Sequence, residues 1–129
     1  PQLVEKCPDC KVYVTEYAKE GLASDKLNMS RYHETPMTYT GGNIVVLHEG
    51  ECMTLFEGEP QMTFYETPGH NPGCLTMVIG GLIFTGDAYI PGVKVNTQLP
   101  HADKVQAQQS LERILKFADG RRVFGGHKV

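Results

Sequence analysis

The segment from Thr67 to Gly73 reads Thr-Pro-Gly-His-Asn-Pro-Gly, and Phe84-Thr85-Gly86-Asp87 follows shortly after it. Together they leave this chain few ways to fold. Each is a tight, glycine-bearing turn, and each offers one side chain able to bind a metal, His70 and Asp87. Between them the apolar run Cys74 to Ile79 meets Gly80-Gly81 and continues as Leu82-Ile83-Phe84. Apolar residues on both sides of a Gly-Gly pair predict a β-hairpin, the glycines supplying the positive φ angles of a two-residue turn. A hairpin brings its two ends together, so His70 and Asp87 are expected side by side at one sheet edge. A histidine and a carboxylate held on short loops at strand ends are the materials of a metal site.

The rest of the chain supplies a scaffold for that edge. Pro1 to Lys6 reads as the tail of a helix that Pro8 stops. Lys11 to Thr15 alternates polar and apolar residues, as a half-buried strand does. Glu16 to Leu22 suits a short helix closing at Gly21 or slightly past it, and Ser24 to Thr40 is polar and irregular. Ile44–Leu47, Met53–Phe56 and Met62–Tyr65 are strand candidates. After the hairpin, Ala88 to Pro100 forms a loop. Ala102 to Phe117 is the clearest helix, with Ala107, Leu111, Ile114, Leu115 and Ala118 on one apolar face. Asp103 sits in its first turn, where a carboxylate suits the helix dipole. Gly120 ends it, and Arg122-Val123-Phe124 is a last short strand that delivers His127 after Gly125-Gly126. No repeat, low-complexity tract or linker divides the chain, so residues 1–129 are assigned to a single, incomplete domain.

Composition excludes more than it identifies. At 129 residues, with 40% hydrophobic residues and a net charge of −3, the chain has one domain's worth of core and no basic excess to attract nucleic acid or an anionic membrane. No apolar run approaches the roughly 18 residues that span a bilayer, and no secretory leader opens the sequence. With only 4 cysteines, a disulfide scaffold is not expected, which points to the cytoplasm. The opening and closing residues lead to the further expectation that this is part of a longer chain.

His70, Asp87 and His127 each follow a strand and each lies beside glycine. Strands of one sheet that end in potential ligands converge on one rim, and that convergence is what a metal needs. His33, His48 and His101 lie in loops without ligand spacing and read as surface residues. Cys7-Pro8-Asp9-Cys10 has zinc-knuckle or redox spacing. A structural zinc wants a second pair, and Cys52 and Cys74 are far apart, so the simplest reading is a helix-to-strand turn. Nothing has the form of a nucleophile elbow or a phosphate loop.

These residues resemble the metallo-β-lactamase-fold hydrolases, particularly their glyoxalase-II-like branch. Thr67 to Gly73 is similar to that family's Thr-Pro-Gly-His-Thr-Pro-Gly turn, which carries a zinc-binding histidine. Phe84 to Asp87 is similar to its Phe-Thr-Gly-Asp turn, whose aspartate bridges two metals. Gly125-Gly126-His127 resembles the Pro-Gly-His that supplies the last histidine. Leu27-Asn28-Met29-Ser30 and Gln109-Ser110-Leu111 also find counterparts, in the right order. Two departures stand out. The family's His-x-His-x-Asp-His motif is absent, and Asn96 and Gln98 stand where the glyoxalase-like branch has arginine and aspartate. The first leaves three ligands for two ions; the second counts against glutathione thioesters as substrate.

The resemblance implies an α+β fold, the C-terminal part of an αβ/βα four-layer sandwich. It implies metal-assisted hydrolysis of an ester, thioester, lactam or phosphodiester, in which metal-bound water is activated to hydroxide. One or two zinc ions would serve, with iron and manganese as alternatives. His70, Asp87 and His127 would be ligands, and Asp87 would also orient the nucleophile. A small-molecule substrate is expected, with neither nucleic acid nor membrane as partner. This chain alone is expected to bind zinc weakly or not at all and to be inactive. The rival reading is a non-catalytic half-fold that covers an apolar sheet face by dimerising or binding a protein partner. A third, a small Cys-x-x-Cys redox protein, predicts unusually fast alkylation of Cys7 or Cys10.

Overall fold

The computed structural model describes residues 2–128; Pro1, the expected start of the first helix, lies outside them, as does Val129. The chain divides into two compact units, Pro1–Leu47 and His48–Val129. Among the described residues no helix is long and apolar enough to cross a membrane.

The first unit is a small parallel strand pair with its connections. Helix α1 (Gln2–Lys6) leads through a turn to β1 (Val12–Val14), which pairs with β2 (Ile44–Val46) in the register Val12 to Ile44. Helix α2 (Glu16–Ala23) starts at Thr15, whose hydroxyl accepts the Ala18 N–H at 3.1 Å. It runs through Gly21 to Ala23. The segment expected to be irregular contains one turn of 3-10 helix, Ser30–Tyr32, and a clamp of side-chain hydrogen bonds. Asn28 Nδ2 donates to the carbonyls of Gly21 and Met37, at 3.0 and 2.9 Å. Ser30 Oγ accepts the Met37 N–H at 2.8 Å. The Leu-Asn-Met-Ser segment therefore fastens its loop to the end of α2, with Met29 turned into left-handed backbone (φ 64°).

The second unit is a sheet with one long helix against it. Among the described residues its strand order is β3-β4-β5-β6-β7: Cys52–Met53, Met62–Glu66, Leu75–Ile79, Leu82–Gly86 and Arg122–Gly125. The expected strand Met53–Phe56 shrinks to the two residues of β3, because Phe56 already opens the next turn, its carbonyl accepting the Glu59 N–H at 3.2 Å. The hairpin forms as expected, with Ile79 opposite Leu82. Of its two turn glycines only Gly80 takes positive φ, 52°. Strand β7 runs parallel to β6 and is reached through α3 (Lys104–Ala118). Asp103 is the N-cap of that helix rather than a member of its first turn, accepting the Gln106 N–H at 2.9 Å.

The core lies between α3 and one face of the sheet. Ile83 and Ile114 are fully buried and meet Ala88, with Cys74, Val78, Phe117 and Val123 packed around them. Each such isoleucine contributes about 1.5–3 kcal/mol by leaving water. The helix presents Ala107, Ser110 and Ile114 inward, and Leu115, expected on this face, is 49% exposed. The buried stripe follows the positions three and four apart through Ser110, a polar residue whose partner the next section supplies.

Candidate functional site

The turn that carries His70 is fixed by buried polar groups and by α3. Thr67 is fully buried; its N–H donates to Cys74 O at 2.9 Å and its hydroxyl pairs with that of Thr76 at 2.9 Å. Asn71 Oδ1 accepts the Gly73 N–H at 2.8 Å. The N-terminal end of α3 presses on the turn from the other side. Ser110 Oγ donates to Pro68 O at 2.6 Å, and Asp103 N–H donates to Gly69 O at 2.8 Å. Gly69 has φ 135°, and a Cβ there would fall 2.2 Å from the Ala107 nitrogen. No other residue fits so close to the helix backbone.

The His70 ring is oriented by a backbone carbonyl. Its Nδ1 lies 3.0 Å from Asn96 O. A carbonyl only accepts, so Nδ1 donates to it and the ring turns its Nε2 towards the site. That is how metal-bound histidines are commonly held. Nε2 lies 3.6 Å from Asp87 Oδ2.

Asp87 follows β6 where the pairing with β7 slips between Phe84 and Gly86 and Gly86 takes φ 51°. Thr85, fully buried, ties the turn by donating to Tyr89 O at 2.5 Å. From the neighbouring strand, Gly126 N–H donates to Gly86 O at 2.8 Å. A Cβ on Gly126 would sit 2.2 Å from Asp87 Oδ1, so glycine leaves the room the carboxylate occupies. His127 Nε2 lies 3.2 Å from the same oxygen.

Thus the strand ends bring His70, Asp87 and His127 to one rim, as the sequence led us to expect. Their side chains are 18%, 35% and 72% exposed. The carboxylate is divided between the histidines, Oδ2 towards His70 and Oδ1 towards His127. Among the described residues no three His, Cys, Asp or Glu side chains gather as ligands of a single ion.

One atom tests whether a cation fits. Asp87 Oδ1 is sealed from solvent and has no hydrogen-bond partner. The His127 contact, though only 3.2 Å, is not aligned as a hydrogen bond. A buried acceptor left unmatched costs about 1–3 kcal/mol, and a cation beside it removes that cost. The donor set, two imidazoles and a carboxylate, suits zinc or iron.

The three residues line a cavity of about 240 Å³ together with Ile90, Val93, Lys94, Val95 and Asn96. No sequence motif marks these lining residues. Asn96 acts on His70 through its backbone carbonyl, which no side-chain pattern reveals. His33, His48 and His101 are exposed, and the cysteines are free thiols.

Comparison with known proteins adds a family and a fold. The sequence profile of the metallo-beta-lactamase superfamily matches residues 1–127. No curated protein matches in sequence. Among solved structures, BLEG-1 B3 metallo-beta-lactamase superposes with a TM-score of 0.83 at 21% identity, over 99% of this chain and 62% of that one. TTHA1623 in a di-iron-bound form gives 0.77 at 27% identity, over 99% and 62%. The archaeal metallo-beta-lactamase superfamily protein ST1585 from Sulfolobus tokodaii gives 0.74 at 23%, over 98% and 55%. This chain thus spans less than two thirds of each of those structures. The likeness shows the fold expected from the sequence, part of an α+β sandwich of the metallo-β-lactamase type.

Proposed function

The chain belongs to the metallo-β-lactamase superfamily, and on that premise we propose that it serves metal-dependent hydrolysis, with His70, Asp87 and His127 as metal ligands. The observation that carries this reading is Asp87 Oδ1, buried without a hydrogen bond and flanked by an imidazole. When bound, the ion supplies an acidified water, its pKa lowered towards about 7, and polarises the scissile group. The chain's own residues do the rest. Asn96 O holds the His70 ring so that Nε2 faces the site. Asp87 presents one oxygen to each histidine and is the group placed to hold a proton of the attacking water. Ile90, Val93 and Val95 give the cavity an apolar side.

Zinc is the first candidate ion, one or two per site. The di-iron form of TTHA1623 supports iron as the alternative. Three ligands over two positions fall short of the three or four that hold one zinc, so we propose that further ligands come from residues outside these 129. A cavity of about 240 Å³ suits a small ester, thioester, lactam or phosphodiester.

The test is Asp87→Asn in the chain joined to the residues that complete its ligand set, assayed against one substrate of each of these four kinds in the presence of zinc or iron(II). Losing even an outer-shell partner of a metal costs about 10–100-fold, so loss of this ligand should lower kcat/KM by at least that much. Undiminished hydrolysis by the variant would refute the assignment. Absence of hydrolysis in every case, together with a stable dimer in sedimentation, would favour a non-catalytic module.

A further inference from the structure

Cys7-Pro8-Asp9-Cys10 belongs to the first compact unit and has no part in the hydrolytic reading. Cys7 N–H donates to Leu3 O at 2.9 Å, so Cys7 closes the last turn of α1. Cys10 N–H then donates to Cys7 O at 3.0 Å. That bond defines a β-turn with Pro8 at its second position, where the fixed φ of proline fits. Such a turn keeps its first and fourth Cα atoms within about 7 Å, and disulfides bridge Cα atoms about 4.4–6.8 Å apart.

The turn is also anchored. Asn43 Nδ2 donates to Cys10 O at 2.7 Å, and Val12 N–H donates to Asn43 O at 3.0 Å, fastening the turn to the start of the β1–β2 pair. Both thiols are free, Cys7 exposed and Cys10 half-buried. No third ligand type joins them in a metal cluster among the described residues. Lys6 and Lys11 adjoin the pair in the chain and offset the charges of Glu5 and Asp9, so no net negative charge repels an anionic reagent.

We infer that Cys7 and Cys10 are a redox-active dithiol, oxidised to an intramolecular disulfide by a small anionic disulfide of the oxidised-glutathione type. The exposed Cys7 thiolate attacks one sulfur of the reagent, whose S–S bond breaks and releases one thiolate. Cys10 thiolate then attacks the Cys7 sulfur and expels the second. Two protein S–H bonds are lost and one S–S bond is gained, while the reagent is reduced to two thiols that take up the two protons. A bridge across an exposed turn remains open to attack by thiols, so the change is reversible.

The experiment is incubation of the native protein with excess oxidised glutathione, an acid quench, alkylation and peptide mass mapping. The result expected is a peptide containing Cys7 and Cys10 that has lost the mass of two hydrogens, resists alkylation and regains it after dithiothreitol. Cys52, exposed and alone, should stop at the mixed disulfide and serves as an internal control. In Cys10→Ser the mixed disulfide should persist on Cys7. The inference is overturned if wild type accumulates glutathione on Cys7 as Cys52 does, or leaves both thiols alkylatable. Either outcome in wild type decides the matter even should the variant fold poorly, and neither bears on the metal site.

Discussion

At the scale of single residues, the site depends on space as much as on ligands. Gly126 places no side chain where Asp87 Oδ1 sits, since a Cβ would approach within 2.2 Å. Gly126→Ala must therefore push the carboxylate out of line with both histidines. We expect zinc affinity to fall by about 10–100-fold, the range for disturbing a ligand's support, measured by competition with a chelating dye. Gly42→Ala is the control, because nothing lies within 4 Å of its Cβ position. Beside the site, burial pushes the Cys74 thiol above its ordinary value; the Asn71 backbone contact opposes this, and the Asp87 charge adds to it. The sign follows directly. The folded state favours the neutral thiol, so its contribution to stability is fully present below the unfolded pKa and is lost as pH rises through the folded one. Alkylation of Cys74 by iodoacetamide should have its pH midpoint higher in the folded protein than in urea, and equal midpoints would contradict the burial argument. The ligand candidates were legible in the sequence because His70, Asp87 and His127 pair a coordinating side chain with glycine after a strand. Asn96 was read only as a missing arginine. Its part is played by a carbonyl common to every residue, and its contact depends on how a loop folds back.

At the scale of elements, α3 is the clamp on which the His70 turn rests. Its periodicity was legible, yet the pattern alone puts Leu115 beside Ile114 on the buried face. In the structure Ile114 is fully buried whereas Leu115 is 49% exposed. The buried stripe instead includes Ser110, whose hydroxyl reaches the Pro68 carbonyl. A pattern that counts only apolar residues misses a polar one whose hydrogen bond is made by tertiary contact. Ile114→Ala should cost about 2–5 kcal/mol, as large-to-small core changes do. Leu115→Ala should cost much less, nearer the ±0.5 kcal/mol of surface changes. Urea denaturation of the two variants checks this, and equal losses would restore the simple apolar face. The hairpin was legible for the opposite reason, since its turn and flanking strands are local. The shortened β3 was not, because the turn beginning at Phe56 competes with a weak strand for the same residues.

At the scale of the whole chain, the question is whether a correctly shaped rim suffices to hold an ion. The family profile spans residues 1–127 and the fold superposes on part of longer structures. Under the proposed ligand assignment, His70 and one Asp87 oxygen would serve one position, and His127 and the other oxygen a second. Two ligands per ion leave zinc short of the three protein ligands usual even in open catalytic sites. His127 is also 72% exposed, so a zinc held there competes with water on most sides. Titration calorimetry of this chain with zinc should therefore give a dissociation constant weaker than about 1 μM, which is less than about 8 kcal/mol of binding. Structural zinc sites with full ligand sets reach about 10–16 kcal/mol. If the two positions are separate, His70→Ala and His127→Ala should each remove part of the weak heat and leave the other part. If instead either substitution abolished binding entirely, the ligands would converge on one ion, contrary to the divided carboxylate. A tight, stoichiometric isotherm in the unmodified chain would go further and refute the ligand count itself, because then this rim alone would complete a site.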